Sequence, residues 1–486
     1  MSPQLVLSVI FGYFSVLIII SFLTSSKADS KTFFTANKQS PWYLVAFGMI
    51  GASLSGVTFI SVPGWVGTTQ FSYFQMVLGY LAGYAVIALI LMPLYYRLNL
   101  ISIYQYLEQR FGFWSYKTGA FYFLLSRVIG ASFRLFLVAG VLQLTLFDAW
   151  DISFEITVLI TILLIWLYTF RGGINTIVWT DTLQTLFMLS AVAAVVVIIS
   201  QEMNFSFGDM ITAVNESQYS KTFFWDWHLG SHFVKQFLSG AFIAIVMTGL
   251  DQDMMQKNLT CKNIGEAQKN VFWFSVILVI ANLMFLFLGA LLYIYANTNG
   301  IEIPTKTDDL FPMLATQHFS VAIGIIFLLG IIAAAYSSAD SALTALTTSF
   351  CVDFLNFKDE FSKDVLDKQR NTRLLVHLGF STLLFIVIII FKQLNNEAVI
   401  SSVFKAAGYT YGPLLGIYAF GLFTNFKVID TLVPVVCLLS PVLSYLLNIY
   451  SVELLGGYKF GFEILLVNGA LTFLGMLLIK RKAALV

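Results

Sequence analysis

The sequence predicts an all-α polytopic membrane protein, a single transmembrane domain over residues 1–486, and three observations predict it. Of the 486 residues, 58% are hydrophobic and 11% charged, with mean hydropathy +0.83; a soluble globular domain averages about 45–50% apolar and about 25% charged. Apolar runs long enough to cross a bilayer recur along the whole chain. Lys and Arg gather in alternate connections between those runs, as the positive-inside rule requires.

Spans are expected at 3–24, 42–64, 72–96, 118–147, 152–170, 174–200, 233–256, 270–296, 317–352, 374–392, 396–422, 428–449 and 459–479. The first lacks a basic leader and a small-residue cleavage site, so it reads as a retained span. Runs 118–147, 270–296 and 317–352 exceed the bilayer thickness and should tilt or project. With the N-terminus outside and the C-terminus cytoplasmic, 19 of the 27 basic residues fall on cytoplasmic connections, Lys257, Lys262 and Lys269 among them. One span more or fewer would reverse every later loop. Two long outer connections, Gln201–His232 and Thr298–Gln317, either cover the entrance or lie at the interface. The basic residues are spread over short loops rather than clustered, so the net charge of +1 carries no sign of nucleic acid, and no nucleic-acid partner is expected. Cys261, Cys351 and Cys437 are too far apart to suggest a disulfide framework or a metal knuckle.

Two spans carry interruptions. The second, GMIGASLSGVTFISVPGW, contains Gly48, Gly51, Gly56 and Pro63, which weaken a helix or remove a backbone donor. The seventh, VMTGLDQDMMQKN, breaks around Gly249 beside Asp251 and Gln252. Irregular backbone at membrane depth is tolerated only where it is buried in protein or lines a cavity. Interrupted segments at matching places in two inverted halves mark the binding site of a secondary transporter. Residues 42–200 then form the first repeat and 233–422 the second, by topology alone; the competing reading is that the glycines serve close helix packing. Segment 3–24 is peripheral, and 428–479 supplies two peripheral C-terminal helices.

The ninth span holds the densest polar pattern, IIAAAYSSADSALTALTTSF. Ser337, Asp340, Ser341, Thr344 and Thr348 share one helical face, an oxygen-rich surface suited to a hard cation. Asp181 lies inside the sixth span and joins such a site only if the two helices touch. Otherwise it snorkels to the interface. Arg134, deep in the fourth span, either pairs with a protein carboxylate or grips a carboxylate solute bidentately. No nucleophile elbow, phosphate-binding loop or HExxH motif is present, which points away from an enzyme or an ATP-driven pump.

The runs AAAYSSADSALTALTTSF, SLSGVTFISVPGW, ISIYQYLEQRFG, WTDTLQ, LDQDMMQ and GYTYGPLLGIYAFGLF resemble, in order and over nearly the whole chain, the sodium:solute symporter family. Its bacterial members include sialic acid, galactose and proline transporters. The resemblance implies a LeuT-like core of five plus five inverted helices within about thirteen, working by alternating access in the bacterial inner membrane. It implies one or two sodium ions. The first would be held by the carbonyls of Gly51, Leu54 and Ala334 and the hydroxyls of Ser337 and Ser338. A second would be held by Asp181, Ser337, Asp340 and Ser341. Substrate is expected near Ser55, Thr58, Phe74, Gln75, Arg134 and Asp251, with Phe71, Tyr409 and Tyr411 as gates. Val77 stands where galactose-type members place a Glu, which weakens a neutral-sugar reading. The expected activity is sodium-coupled import of a small organic solute, such as sialic acid or another sugar acid, by a protein working as a monomer among membrane lipids. A proton-coupled symporter, or a sodium symporter of neutral sugars or amino acids, is the competing reading.

Overall fold

The computed structural model describes residues 2–24, 40–100, 102–169, 174–357, 363–395 and 397–481. Lys27, Lys31, Lys38, Arg171, Lys358 and Lys482, part of the basis for the expected orientation, lie outside the described residues. The chain is helical almost throughout. In order come α1 (Pro3–Thr24), α2 (Trp42–Ser53), α3 (Gly56–Thr69), α4 (Tyr73–Leu98), α5 (Phe113–Trp150), α6 (Phe154–Thr169) and α7 (Ile174–Glu202). The second half runs α8 (Phe233–Gly249), α9 (Gln252–Asn258), α10 (Ile264–Thr298), α11 (Val321–Phe354), α12 (Lys363–Leu394), α13 (Val399–Thr410) and α14 (Gly412–Phe423). α15 (Val433–Ile449) and α16 (Ile464–Leu478) follow. Eight helices among the described residues are long and apolar enough to cross a membrane, ten when each bent pair is a single span, and three shorter apolar helices accompany them.

Both expected interruptions are present. α2 and α3 meet at 55°, α8 and α9 at 72°. The first break falls at Leu54–Ser55, where Ser55 is extended (φ −88°, ψ 180°), and not at Pro63. α3 runs through Pro63, an interior proline of the kind membrane helices tolerate because neighbouring groups re-satisfy the freed backbone. The second break is prepared by a wide π-turn at Ile245–Gly249, a distortion that often accompanies functional sites. The run 396–422 is also two helices, parted at Tyr411 before Pro413, a break the sequence pattern did not reveal.

The broken segments sit inside the bundle. Phe59 of α3 packs against Phe285, Phe311 and Phe327, with ring centroids 5.5–5.9 Å apart. α8 lies against α4 with backbones in contact. A Cβ on Gly79 or on Gly240 would collide with the carbonyl oxygen of Phe237 or of Met76. Small residues are what permit such close helix packing where no hydrophobic force acts between helices in lipid. At the chain's end, Lys427–Val428 pairs antiparallel with Lys480–Arg481 and ties the tail to the α14–α15 connection.

Candidate functional site

The two breaks are built differently. At the second, the Asp251 carboxylate caps α9, accepting from the amides of Asp253 (3.1 Å) and Met254 (3.2 Å). The phenol of Tyr95 donates to the carbonyl of Gly249 (2.9 Å) and that of Tyr104 to Leu250 (3.0 Å). Tyr411 donates to the other Asp251 oxygen (2.8 Å), and Arg127 pairs with Asp253 and lies 3.8 Å from Asp251. The backbone groups freed by that break are therefore satisfied internally, as burial demands.

The first break has no such seal. Ser55 caps nothing with its side chain, and among the described residues no side chain donates to the carbonyls of residues 51–54. This segment packs against α7 and α11, which also touch each other. A Cβ on Gly51 would strike Thr185 Oγ1 and come within 3.3 Å of Ser337 Oγ; only glycine allows the three helices to converge there. Ser337 and Ser338 are fully buried at this junction, with Leu54 and Ala334 at 1% exposure. Carbonyl and hydroxyl oxygens meeting without a strong ligand such as His or Cys suit a hard monovalent or divalent cation.

One helical step away, Asp181 of α7 and Ser341 of α11 meet around a residue expected elsewhere. Lys257, assigned from sequence to a cytoplasmic connection, is buried on α9. Its Nζ stands 2.8 Å from Asp181 Oδ2 and 2.8 Å from Ser341 Oγ, while Ser337 Oγ donates to Asp181 Oδ1 at 2.8 Å. Asp181 thus does not snorkel. Asp340 is buried beside this group. Sequence reasoning passed over Lys257 because a basic residue at the end of an apolar run looks like a loop. The sequence carries no signal for it, because the acid four residues earlier, Asp253, pairs with Arg127 instead.

Between the two breaks lies a cavity of about 100 Å³, lined by Ser55, Thr58, Tyr73, Arg127, Arg134 and Phe404 among others. Its two arginines differ. Arg127 is paired, whereas Arg134 Nη1 is buried with no hydrogen-bond partner and, among the described residues, no carboxylate within ion-pair distance. A vestibule of about 680 Å³ sits one turn further along the same helices, against Ile60, Leu137 and Val399. Of the other expected substrate residues, Gln75 is engaged with the long connection after α7: it donates to the Ser231 carbonyl (2.9 Å) and accepts from the Phe224 amide (3.1 Å). Phe71 joins the same connection through the Lys221 carbonyl (3.1 Å). Neither these two nor Phe74, Val77 or Asp251 lines the cavity. Tyr409 turns away from the cavity, its hydroxyl accepting from Asn448 (2.9 Å) of α15, because residues two apart on a helix point to opposite sides. Tyr411 alone of that pair faces inward.

The fold has counterparts among known proteins. A family model described as the sodium:solute symporter family matches residues 33–427. The chain belongs to the sodium:solute symporter family. It is 23% identical to the sodium/sialic acid symporter SiaT of Proteus mirabilis, over 86% of this chain and 84% of that one. It is 24% identical to the sodium/sialic acid symporter NanT of Aliivibrio fischeri, over 86% and 82%. A solved structure of a Na+-coupled sialic acid symporter, in a substrate-bound outward-open state, superposes with a TM-score of 0.80 at 19% identity, covering 98% of this chain and 99% of that one. A nucleobase-cation-symport-1 family transporter in a closed conformation follows with a TM-score of 0.56 at 16% identity, covering 91% and 92%. This LeuT-like symporter is a sodium-coupled carrier of a small organic solute in the membrane, not an enzyme.

Proposed function

We propose that the symporter imports a small carboxylate-bearing solute, a sialic acid or another sugar acid, gripped by Arg134 in the cavity between the two breaks. The observation that carries this reading is the partnerless Arg134 Nη1, buried beside Ser55 and Thr58. A buried guanidinium with an open donor is costly unless something fills it, and its fork matches a carboxylate. Sialic acid is what the relatives SiaT and NanT are named for. Asp251 and Gln75, expected as solute ligands, instead hold the protein around the cavity.

Sodium binds, in this reading, at the unsealed first break, through the carbonyls of Gly51, Leu54 and Ala334 and the hydroxyls of Ser337 and Ser338. The ion supplies the countercharge that those oxygens lack and ties α2–α3 to α11. Its binding holds the broken helix in the arrangement that accepts solute; on release to the cytoplasm the helix is free to reorient. The cavity's volume is below the roughly 300–1,000 Å³ of typical ligand sites, so solute entry widens it. Phe71 and Gln75 act as latches on the connection after α7, and Tyr411 as part of the seal beneath the cavity. The remaining assignments are thirteen spans, an outside N-terminus, repeats at 42–200 and 233–422, and a lipid-embedded monomer of the bacterial inner membrane.

The test is uptake into proteoliposomes under an inward sodium gradient. Arg134→Gln should raise KM for a sugar acid by about 100-fold, the value of roughly 3 kcal/mol of charge-assisted hydrogen bonding. An unchanged KM, or equal transport of the neutral parent sugar by the unaltered protein, would rule out the carboxylate assignment.

A further inference from the structure

The place that the sequence reserves for a second sodium ion is filled by a side chain. Asp181 and Ser341, from α7 and α11, direct oxygens at Lys257 Nζ, each at 2.8 Å, and Ser337 completes the ring through Asp181 Oδ1. Asp181 and Ser337 are wholly buried, Ser341 is 1% and Lys257 2% exposed. An ammonium and a sodium ion carry the same charge and take the same oxygen ligands. The ammonium supplies directed donors, and two of its three are engaged here. We propose that Lys257 is a tethered cation occupying the second ion site, excluding sodium from it and leaving the first break as the single place where a mobile ion binds.

Three features support this assignment over a mere stabilising ion pair. Lys257 rides on α9, one half of the second broken helix, while its ligands belong to two other helices. Its contact therefore spans the elements between which the ion site is formed. Ser337, the residue bridging to the first break, hydrogen-bonds the same Asp181 that Lys257 neutralises, so a single carboxylate is shared between a fixed and a mobile charge. Finally, Asp253, the nearest other acid on α9, is already paired with Arg127, which leaves Asp181 as the ion-pair partner of Lys257. A cation covalently attached to α9 cannot leave with the solute. It resets with the helix at each cycle.

The proposal rests on the reading of Gly51, Ser337 and Ser338 as the sodium site. The experiment is equilibrium binding of radioactive sodium to the purified full-length protein in detergent, without solute. The unaltered protein and Lys257→Arg should bind one ion per chain. Lys257→Met should bind two, because Asp181, Ser337 and Ser341 are then free to take a sodium ion. The double variant Lys257→Met/Asp181→Asn, which removes both charges together, should return to one. Two ions on the unaltered protein, or one on a Lys257→Met that elutes as a single folded species, overturn the proposal. If Lys257→Met does not fold, the count on the unaltered protein still decides, since two ions bound while Lys257 is in place contradict its exclusion of sodium. No ion on the unaltered protein with one on Lys257→Met would dismiss the first-break sodium site while upholding Lys257 as the resident cation.

Discussion

The two breaks of this symporter are made from the same kind of sequence, glycine and small polar residues inside an apolar run, yet one is closed and the other open. At the second, a carboxylate caps the half-helix and tyrosines take the carbonyls of Gly249 and Leu250. At the first, Ser55 makes no side-chain cap, and among the described residues no side chain donates to the carbonyls of residues 51–54. Irregular backbone in a membrane needs partners either way. The second break brings its own and so can serve as structure. The first lacks them and so can serve as a binding site.

Substitutions should separate the two. The largest effect is expected at the open break: Ser337→Ala with Ser338→Ala should abolish sodium-dependent uptake while leaving a folded protein, since the two hydroxyl oxygens are the proposed ion ligands and carry little packing. Retained sodium dependence would erase the contrast. At the closed break, Asp251→Ala removes a cap and one partner of a buried charge cluster, and should cost about 3–5 kcal/mol of stability. This is read as a large fall in Tm and yield. Phe59→Ala, which strips the aromatic anchor of α3, belongs in the same range at about 3–5 kcal/mol. Tyr104→Phe should cost about 1–3 kcal/mol by orphaning the Leu250 carbonyl, whereas Ser55→Ala should change stability by less than about 0.5 kcal/mol and alter KM instead.

The smallest effect lies outside the membrane. Asp308, in the connection between α10 and α11, accepts from the Val399 amide at 2.8 Å and so caps α13. Burial pushes its pKa up to about 6, above the ordinary value of about 3.9. The folded state then binds this proton more tightly than the unfolded one, so its contribution to stability is greatest below about pH 4, declines as pH rises to about 6 and is flat beyond. Asp308→Asn should remove that slope. Thermal melts of both proteins from pH 4 to pH 8 would show it as a difference between two curves.

Much of the fold was legible because lipid leaves few options. Apolar runs, basic asymmetry and glycine-rich interruptions are each written directly in residue type, and the helices follow. The serine pair on α11 was legible for the same reason, being polar where polarity is costly. What escaped were properties of pairing. Nothing in the composition of DQDMMQKN tells that Lys257 points into the bundle, because the partner that holds it, Asp181, is 76 positions away. Arg127 and Arg134 read alike in sequence, two turns apart on one helix, and only tertiary contacts reveal that one is neutralised and the other open. Pro63 misled in the opposite sense, since a proline signals a lost donor, but the bend formed at Leu54–Ser55 where extended backbone was available.

The Lys257 ammonium has a bioenergetic consequence. A monocarboxylate that crosses with a single sodium ion carries no net charge, so its accumulation follows the sodium ratio alone, about 1.4 kcal/mol per tenfold. The membrane potential, worth about 2.3 kcal/mol per charge per 100 mV, then adds nothing. Were the second site open to a mobile ion, every cycle would carry one positive charge inward and the voltage would drive it. One buried side chain decides whether this carrier senses the membrane potential at all.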